Sequence, residues 1–208
     1  DEFSYESNVR ADRAWKSGVF VKESIPVGNL TQDEGIRVSD PSVLGKLKPA
    51  FGPNGVLTAG NSSQLSDGAS ALVLASEEAV DEMSLKPLAR ITGYNQSSLP
   101  PRDFVETPIP CTRQFLEKQG KKIDYYDLVE HNEAFSIASI IVRNNLGVAG
   151  DRFNINGGAV AIGHPLGNSG SRIIVTLLNA LNESKMKTGL ATICHGGGGA
   201  HTMSIEIV

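Results

Sequence analysis

A chain of 208 residues that is 40% apolar, 20% charged and 6% aromatic has the composition of an ordinary globular protein, long enough to bury a core without disulfide or metal staples. Nineteen basic against 23 acidic side chains give a formal net charge of −4, and no basic stripe of the kind that nucleic acid or an anionic membrane surface demands is present. Two cysteines cannot build a disulfide framework, so a reducing, cytoplasmic compartment is expected, and no apolar run approaches the roughly 18 residues of a membrane span.

The chain opens on Asp1-Glu2-Phe3 rather than on Met, which reads as a start that was cut or processed. Phe3 to Lys16 predicts a helix with Gly18 as its glycine stop, and Phe20 to Val27 a short strand. Residues 29 to 64 carry Gly35, Pro41, Gly45, Pro49, Gly52, Pro53 and Gly55, which is loop punctuation broken by at most one helical turn. Gly68 to Ala75 is almost continuously apolar and short, the pattern of a strand buried on both faces. Ser76 caps a following helix whose first turn holds Glu77 and Glu78. Leu88 to Ile91 predicts another strand. Residues 93 to 110, with Pro100, Pro101, Pro108 and Pro110, read as an irregular connection and the best domain boundary, dividing the chain into 1–92 and 93–208.

Beyond that boundary the order is regular. Helices are predicted at Cys111 to Gln119, Glu133 to Leu146 and Ser171 to Asn182, and strands at Tyr126 to Val129 and Leu190 to Cys194. Phe153 to Asn156 is extended, Gly157 to Gly170 is a long glycine loop, and His195 to Ala200 is a turn. Met203, Ile205 and Ile207 alternate with Thr202, Ser204 and Glu206 as a half-exposed last strand. Helices alternating with strands define an α/β layered fold. Glycine is the one skew: ten of the 22 lie between Gly157 and Gly199, which directs the search for chemistry to the last quarter of the chain.

Three segments there stand at strand ends or helix starts, where α/β folds gather their sites. They are Glu130-His131-Asn132-Glu133-Ala134-Phe135, Gly163-His164-Pro165 and Cys194-His195-Gly196-Gly197-Gly198-Gly199. Taken singly, Asn132 is as well read as a helix cap, His164 as a structural loop residue and Cys194 as a buried strand cysteine before a flexible turn. A cysteine facing four glycines also has backbone N–H groups at hand that can lower a thiol pKa and cradle an oxyanion. A phosphate loop is excluded, because the GxxxxGK[ST] pattern is absent and a strand follows instead of a helix. Cys194, His195 and His201 offer no zinc spacing, so no metal is expected.

Together, the Asn-Glu-Ala-Phe, Gly-His-Pro and Cys-x-Gly-Gly-Gly segments, 32 and 30 residues apart, resemble the thiolase family. Asn154 to Gly167 matches the family segment almost letter for letter, and Thr58-Ala59-Gly60-Asn61 with Ser66-Asp67-Gly68-Ala69 resembles the stretch leading to the last strands of its N-terminal domain. The likeness covers the whole chain. It implies a layered α-β-α fold with a complete C-terminal domain over 93–208 and only the closing part of an N-terminal domain over 1–92. The expected partner is therefore a missing N-terminal thiolase half, within a homodimer or homotetramer.

The resemblance implies an acyl-CoA acyltransferase that joins or cleaves 3-ketoacyl-CoA, with acetyl-CoA and 3-ketoacyl-CoA as substrates and no cofactor beyond these coenzyme A thioesters. It makes Cys194 the acid/base that moves the α proton, with its thiolate favoured by the glycine-loop N–H groups. His164 polarises a nucleophilic cysteine and holds the thioester oxygen, and Asn132 positions a water at that oxyanion hole. The N–H of Gly196 serves a second oxyanion hole, and Phe135 and Ala134 line the acyl end. The nucleophilic cysteine has no counterpart here, since Cys111 matches no nucleophile motif, and a serine that often contacts the pantetheine arm falls near Gly93. Two other readings stand beside this one: a non-catalytic subunit that kept the fold, and a ketosynthase-like condensing enzyme, which should carry a histidine in place of Cys194.

Overall fold

Parallel strands need a long crossover, whereas antiparallel neighbours close on a tight turn. Both occur here. The computed structural model describes residues 1–208 and contains one four-stranded sheet, with β1 (Ala89–Ser98), β2 (Leu128–His131), β3 (Thr188–His195) and β4 (Gly199–Ile207) in the order β1-β4-β3-β2. β3 and β4 form a hairpin through the glycine run, and Gly198 at its corner has φ +92°, with no room for a Cβ against the Leu99 carbonyl. β1 pairs antiparallel with β4, and β2 runs parallel to β3.

Seven helices surround this sheet: α1 (Glu2–Lys16), α2 (Pro41–Leu44), α3 (Glu77–Glu82), α4 (Pro108–Gln119), α5 (Ser136–Leu146), α6 (Ala159–Ile162) and α7 (Ser169–Ser184). Successive strand residues face opposite sides, so Leu128 packs with Ile173, Leu177 and Leu181 of α7, while its neighbour Val129 packs with Phe115 of α4 and Val142 of α5. The sheet is thus covered on both faces, as the layered α/β expectation requires. A third, small cluster joins Ala11 and Ala14 of α1 to Phe20 and Ala161, which seats α1 on the glycine loop.

Several expectations are corrected. Phe20 to Val27 is no strand but a 3-10 turn at Phe20–Lys22, because Phe20 turns inward against Trp15 while Ile25 stands 87% exposed with no strand beside it. Gly68 to Ala75 is no buried strand either. Residues 65 to 75 make no backbone-to-backbone hydrogen bond, and Leu65 and Val73 are 100% and 96% exposed. An apolar run becomes a strand only where another strand lies alongside to take its hydrogen bonds, and none of the four reaches it. β1 runs on to Ser98 through what read as an irregular connection, so the junction at 92/93 falls inside a strand; the bulge between Ile91 and Gly93 marks the spot. The glycine loop contains the short helix α6.

The last strand also departs from simple alternation, because Thr202 and Ser204 are as buried as Ile205. Thr202 shares its hydroxyl with Thr112 of α4 at 2.9 Å and with Thr192 of β3 at 3.0 Å, so the sheet face under α4 is sealed by hydrogen-bonded threonines. The helix predicted from Glu133 starts at Ser136, after an extended Phe135. Asn132 is therefore not a helix cap.

His131 ends β2 fully buried, with Nδ1 on the Ser139 hydroxyl at 2.8 Å, its ring stacked on Phe153 and Nε2 without a partner. Burial pushes this imidazole down to about 3. The unfolded chain binds a proton at an ordinary histidine value near 6.5 and the folded chain does not, so folding stability is lost as pH falls from about 6.5 toward 3. His131→Leu should remove this loss. Between pH 7 and pH 5 the wild type should give up about 2 kcal/mol more than the variant, measured by denaturant unfolding at each pH. Equal changes in the two proteins would refute the assignment.

Candidate active site

The three singled-out segments meet because the backbone around them is pinned from several directions. β2 is parallel to β3, and the Asn132 N–H continues the ladder to the Thr192 carbonyl at 3.2 Å, two residues before Cys194. Asn154, in the left-handed region at φ +46°, clamps the strand end: its Oδ1 accepts from the His131 N–H at 2.8 Å and its Nδ2 donates to the His131 carbonyl at 2.9 Å. The same Nδ2 donates to Glu133 Oε1 at 2.7 Å. From the other side the loop at residues 61–64 is stitched on, with the Ser63 N–H donating to Ala134 and the Ser136 N–H to Asn61, each at 3.0 Å, and the His164 N–H to Gln64 at 3.2 Å.

Asn132 is fully buried, and its Nδ2 lies 3.4 Å from Nε2 and 3.5 Å from Nδ1 of His164. Nearly equal distances put the amide nitrogen against the ring rather than on one lone pair. The strong bond of His164 is from Nδ1 to the Ser169 hydroxyl at 2.6 Å. Ser169 has a single hydroxyl hydrogen, and its oxygen lies 3.0 Å from the Pro165 carbonyl, which can only accept. That hydrogen goes to Pro165, Nδ1 of His164 carries the ring proton, and Nε2 is left as the basic nitrogen. Burial, followed by the nearby Arg172 guanidinium, holds the imidazole below its ordinary value, hence neutral at pH 7.

Cys194 is buried, and burial pushes its thiol up to about 11. The expectation that the glycine-loop N–H groups favour its thiolate is thus overturned: a backbone hydrogen bond acts in that direction and desolvation outweighs it. The thiol hydrogen-bonds to neither His164 nor Asn132. Gly196, exposed in the hairpin turn, keeps an N–H without a protein partner, while Ala134 is buried and half-buried Phe135 meets Phe51 and Phe104 edge-on at 5.9 and 6.5 Å. Gly93 lies in β1 against Phe115 and Gln119 of α4. The loop that flanks His164 is instead Leu65 to Asp67, which with His164 and Leu166 lines an open cleft of about 400 Å³. No three His, Cys, Asp or Glu side chains converge as metal ligands.

Pattern reasoning missed Ser169, Asn154 and Arg172. Arg172 donates from Nη2 to Asn132 Oδ1 at 3.3 Å, and its helix buries Ser169, Thr176 and Ala180, so the spacing of that polar and small-residue face was the available signal. Asn154 left no periodic trace.

Asn132 and Cys194 thus stand at the ends of the parallel strands β2 and β3, with the His164 ring against Asn132. Residues 85–207 match the family model for the thiolase C-terminal domain and residues 1–78 that for the thiolase N-terminal domain; the chain belongs to the thiolase family. Residues of both domains are therefore present, as expected for a chain that carries the closing part of the N-terminal domain, and the expectation of a missing N-terminal half as partner is set aside. An acetyl-CoA acetyltransferase of Synechocystis sp. is 48% identical across the whole chain. The crystal structure of the Bacillus anthracis acetyl-CoA acetyltransferase superposes with a TM-score of 0.96 at 37% identity, and that of Acat5 thiolase from Ascaris suum in complex with coenzyme A with 0.95 at 41%, each over 100% of this chain. The chain spans 55% of the length of each of these relatives. No helix is long and apolar enough to cross a membrane.

The tautomer assignment is directly measurable. Nitrogen-15 spectra of the His164 imidazole should show the Nδ1–H form in the wild type, and Ser169→Ala should move the ring toward the Nε2–H form that free imidazoles prefer. An unchanged tautomer in the variant would remove Ser169 from this role.

Proposed function

We propose that this chain supplies the enolate-forming part of a thiolase site, acting on acetyl-CoA and 3-ketoacyl-CoA. The observation that carries the reading is the packing of Asn132 on a neutral, Ser169-anchored His164 beside the strand that carries Cys194 near its end. Support for the substrate class comes from the relatives' names and from the coenzyme A held by the Ascaris suum structure.

The resting protonation states suit the proton balance of such a reaction. Nε2 of His164 takes the thiol proton of an acyl-carrying cysteine, and Cys194, protonated at rest, gives its own proton to the departing coenzyme A thiolate. That leaves a Cys194 thiolate beside an imidazolium. The thiolate removes an α proton from acetyl-CoA, and the C–H electron pair becomes an enolate whose oxygen is held by Nε2–H of His164 and by a water on Asn132. The enolate carbon attacks the acyl thioester, the N–H of Gly196 receives the tetrahedral oxyanion, and the acyl-carrying sulfur leaves with the proton stored on His164. Phe135 and Ala134 line the acyl end. A homodimer or homotetramer in a reducing compartment belongs to the same proposal, and both cysteines are free thiols.

One observation favours a second reading, that of a non-catalytic subunit. Cys111 is fully buried on α4, hydrogen-bonded to Asn95 and Ala200, and burial raises its thiol pKa, so it cannot carry the acyl group. Proton exchange separates the two readings, because the equilibrium fraction of Cys194 thiolate can exchange an α proton without an acyl-carrying cysteine. The chain should catalyse exchange of the acetyl-CoA methyl protons with deuterated solvent, followed by proton NMR. Cys194→Ala should abolish the exchange, and Asn132→Ala should slow it on the order of a hundredfold. The thiolate fraction grows roughly tenfold per pH unit below 11, so the rate should climb with pH. Exchange absent from the wild type, or surviving Cys194→Ala, would end the catalytic reading.

A further inference from the structure

Beneath Asn132 and His164 lies a set of buried charges that the reaction above does not use. The guanidinium of Arg172 sits among Glu130, Glu133, Glu23 and Asp33. Glu133 is well satisfied, accepting from Ser7 at 2.6 Å and from Asn154 at 2.7 Å. Elsewhere bonds are missing: Nε and Nη1 of Arg172, Oε2 of Glu130 and Oε2 of Glu23 are all sealed from solvent without a protein partner. The one direct hydrogen bond of the guanidinium goes upward, from Nη2 to Asn132 Oδ1.

A guanidinium can only donate, so the end of the Asn132 amide that faces it has to be the oxygen. The NH₂ end is then turned to His164. With the amide flipped, its oxygen would face the unprotonated Nε2 of His164, acceptor against acceptor, and its NH₂ would face a cation. We propose that Arg172 is a positioning residue that locks the Asn132 carboxamide with its donors toward His164, acting through Asn132 and touching no substrate. The acids around it, Glu130, Glu133, Glu23 and Asp33, hold the guanidinium in place by charge.

The geometric claim is independent of the proposed function, and only the kinetic consequence rests on it. Two measurements keep the two apart. Without any assay, the Asn132 side-chain amide should give a slowly exchanging pair of resonances in nitrogen–proton spectra of the full chain. Arg172→Met should shift both and speed their solvent exchange on the order of tenfold or more, and Arg172→Lys, which keeps a donor, should restore part of the protection. Unmoved Asn132 resonances would overturn the proposal whether or not the chain is active.

In the acetyl-CoA proton-exchange assay, Arg172→Met should lower the maximal rate on the order of tenfold while leaving half-saturation within about twofold. In the Asn132→Ala background the same substitution should change the rate by less than about twofold, because its target is gone. An equal loss in both backgrounds would show that Arg172 acts through some other group and would overturn the proposal. Removing one partner of a buried charge set can unfold a protein, so Arg172→Met with Glu130→Gln serves as the second variant and should show the same Asn132 signature. An inactive wild type whose Asn132 resonances respond to Arg172→Met would sink the proposed function and leave the positioning role standing.

Discussion

Two parallel neighbours in a sheet end on the same edge, and the site depends on that constraint. β2 and β3 are the one parallel pair of the four strands, so Asn132 and Cys194 come to the same edge of the sheet although 61 residues lie between them in the chain. The crossover between them delivers the remaining parts. α5 returns along one face and α7 along the other, and the chain between them carries His164 back to the same edge. Were β2 antiparallel to β3, Asn132 would emerge at the opposite edge and no local adjustment could bring it to His164.

The site is assembled on an electrostatic foundation as much as on a backbone one. Glu130, raised by burial to about 8, and Glu133, also raised, share a buried cluster with Arg172, whose guanidinium reaches the Asn132 side chain. Arg172 offsets them, which explains how one buried cation and several acids coexist with a neutral imidazole. The glycines of the loop serve the same packing. A Cβ on Gly158 would occupy the space of the Glu133 carboxyl, and one on Gly157, at φ +77°, would strike the backbone of α1 at Ser7. Ser7 in turn bonds both Glu133 and the Gly158 N–H, at 2.6 and 3.0 Å. The glycine excess visible in the composition is thus partly a matter of letting α1 and a buried acid approach the loop.

Much of this was legible in the sequence, for identifiable physical reasons. The helices α4, α5 and α7 and the hairpin strands β3 and β4 carry periodic apolar residues or glycine stops, and periodicity reports one-sided burial. Asn132, His164 and Cys194 were singled out because each sits in a short segment whose order and spacing resemble a family. What failed were segments whose structure is set by non-local partners. β1 is polar along much of its length, so its strand state comes from pairing with β4 and not from its own pattern. Gly68 to Ala75 is the converse, a run with every intrinsic preference for a strand and no neighbour to pair with. Ser169, Asn154 and Arg172 were missed for a related reason: each acts through a few specific hydrogen bonds, and such bonds have no period.

The thiol pKa shows how far chemistry departs from what a motif suggests. A cysteine before four glycines invites the reading of an activated thiolate, yet only Gly196 and Gly197 of the run are exposed and Cys194 itself points into the protein, where desolvation dominates. A buried thiol near 11 is protonated at rest, and its thiolate, once formed, is a strong base. In the proposed reaction Cys194 first gives a proton and then takes one, and burial suits that order: the thiolate is scarce in the resting site and becomes favoured once a leaving sulfur has accepted the proton and an imidazolium stands nearby to stabilise it. Burial keeps the base latent until its partner charge exists, and the same burial brings the Asn132 amide, the His164 ring and the Arg172 guanidinium close enough for that charge to be felt.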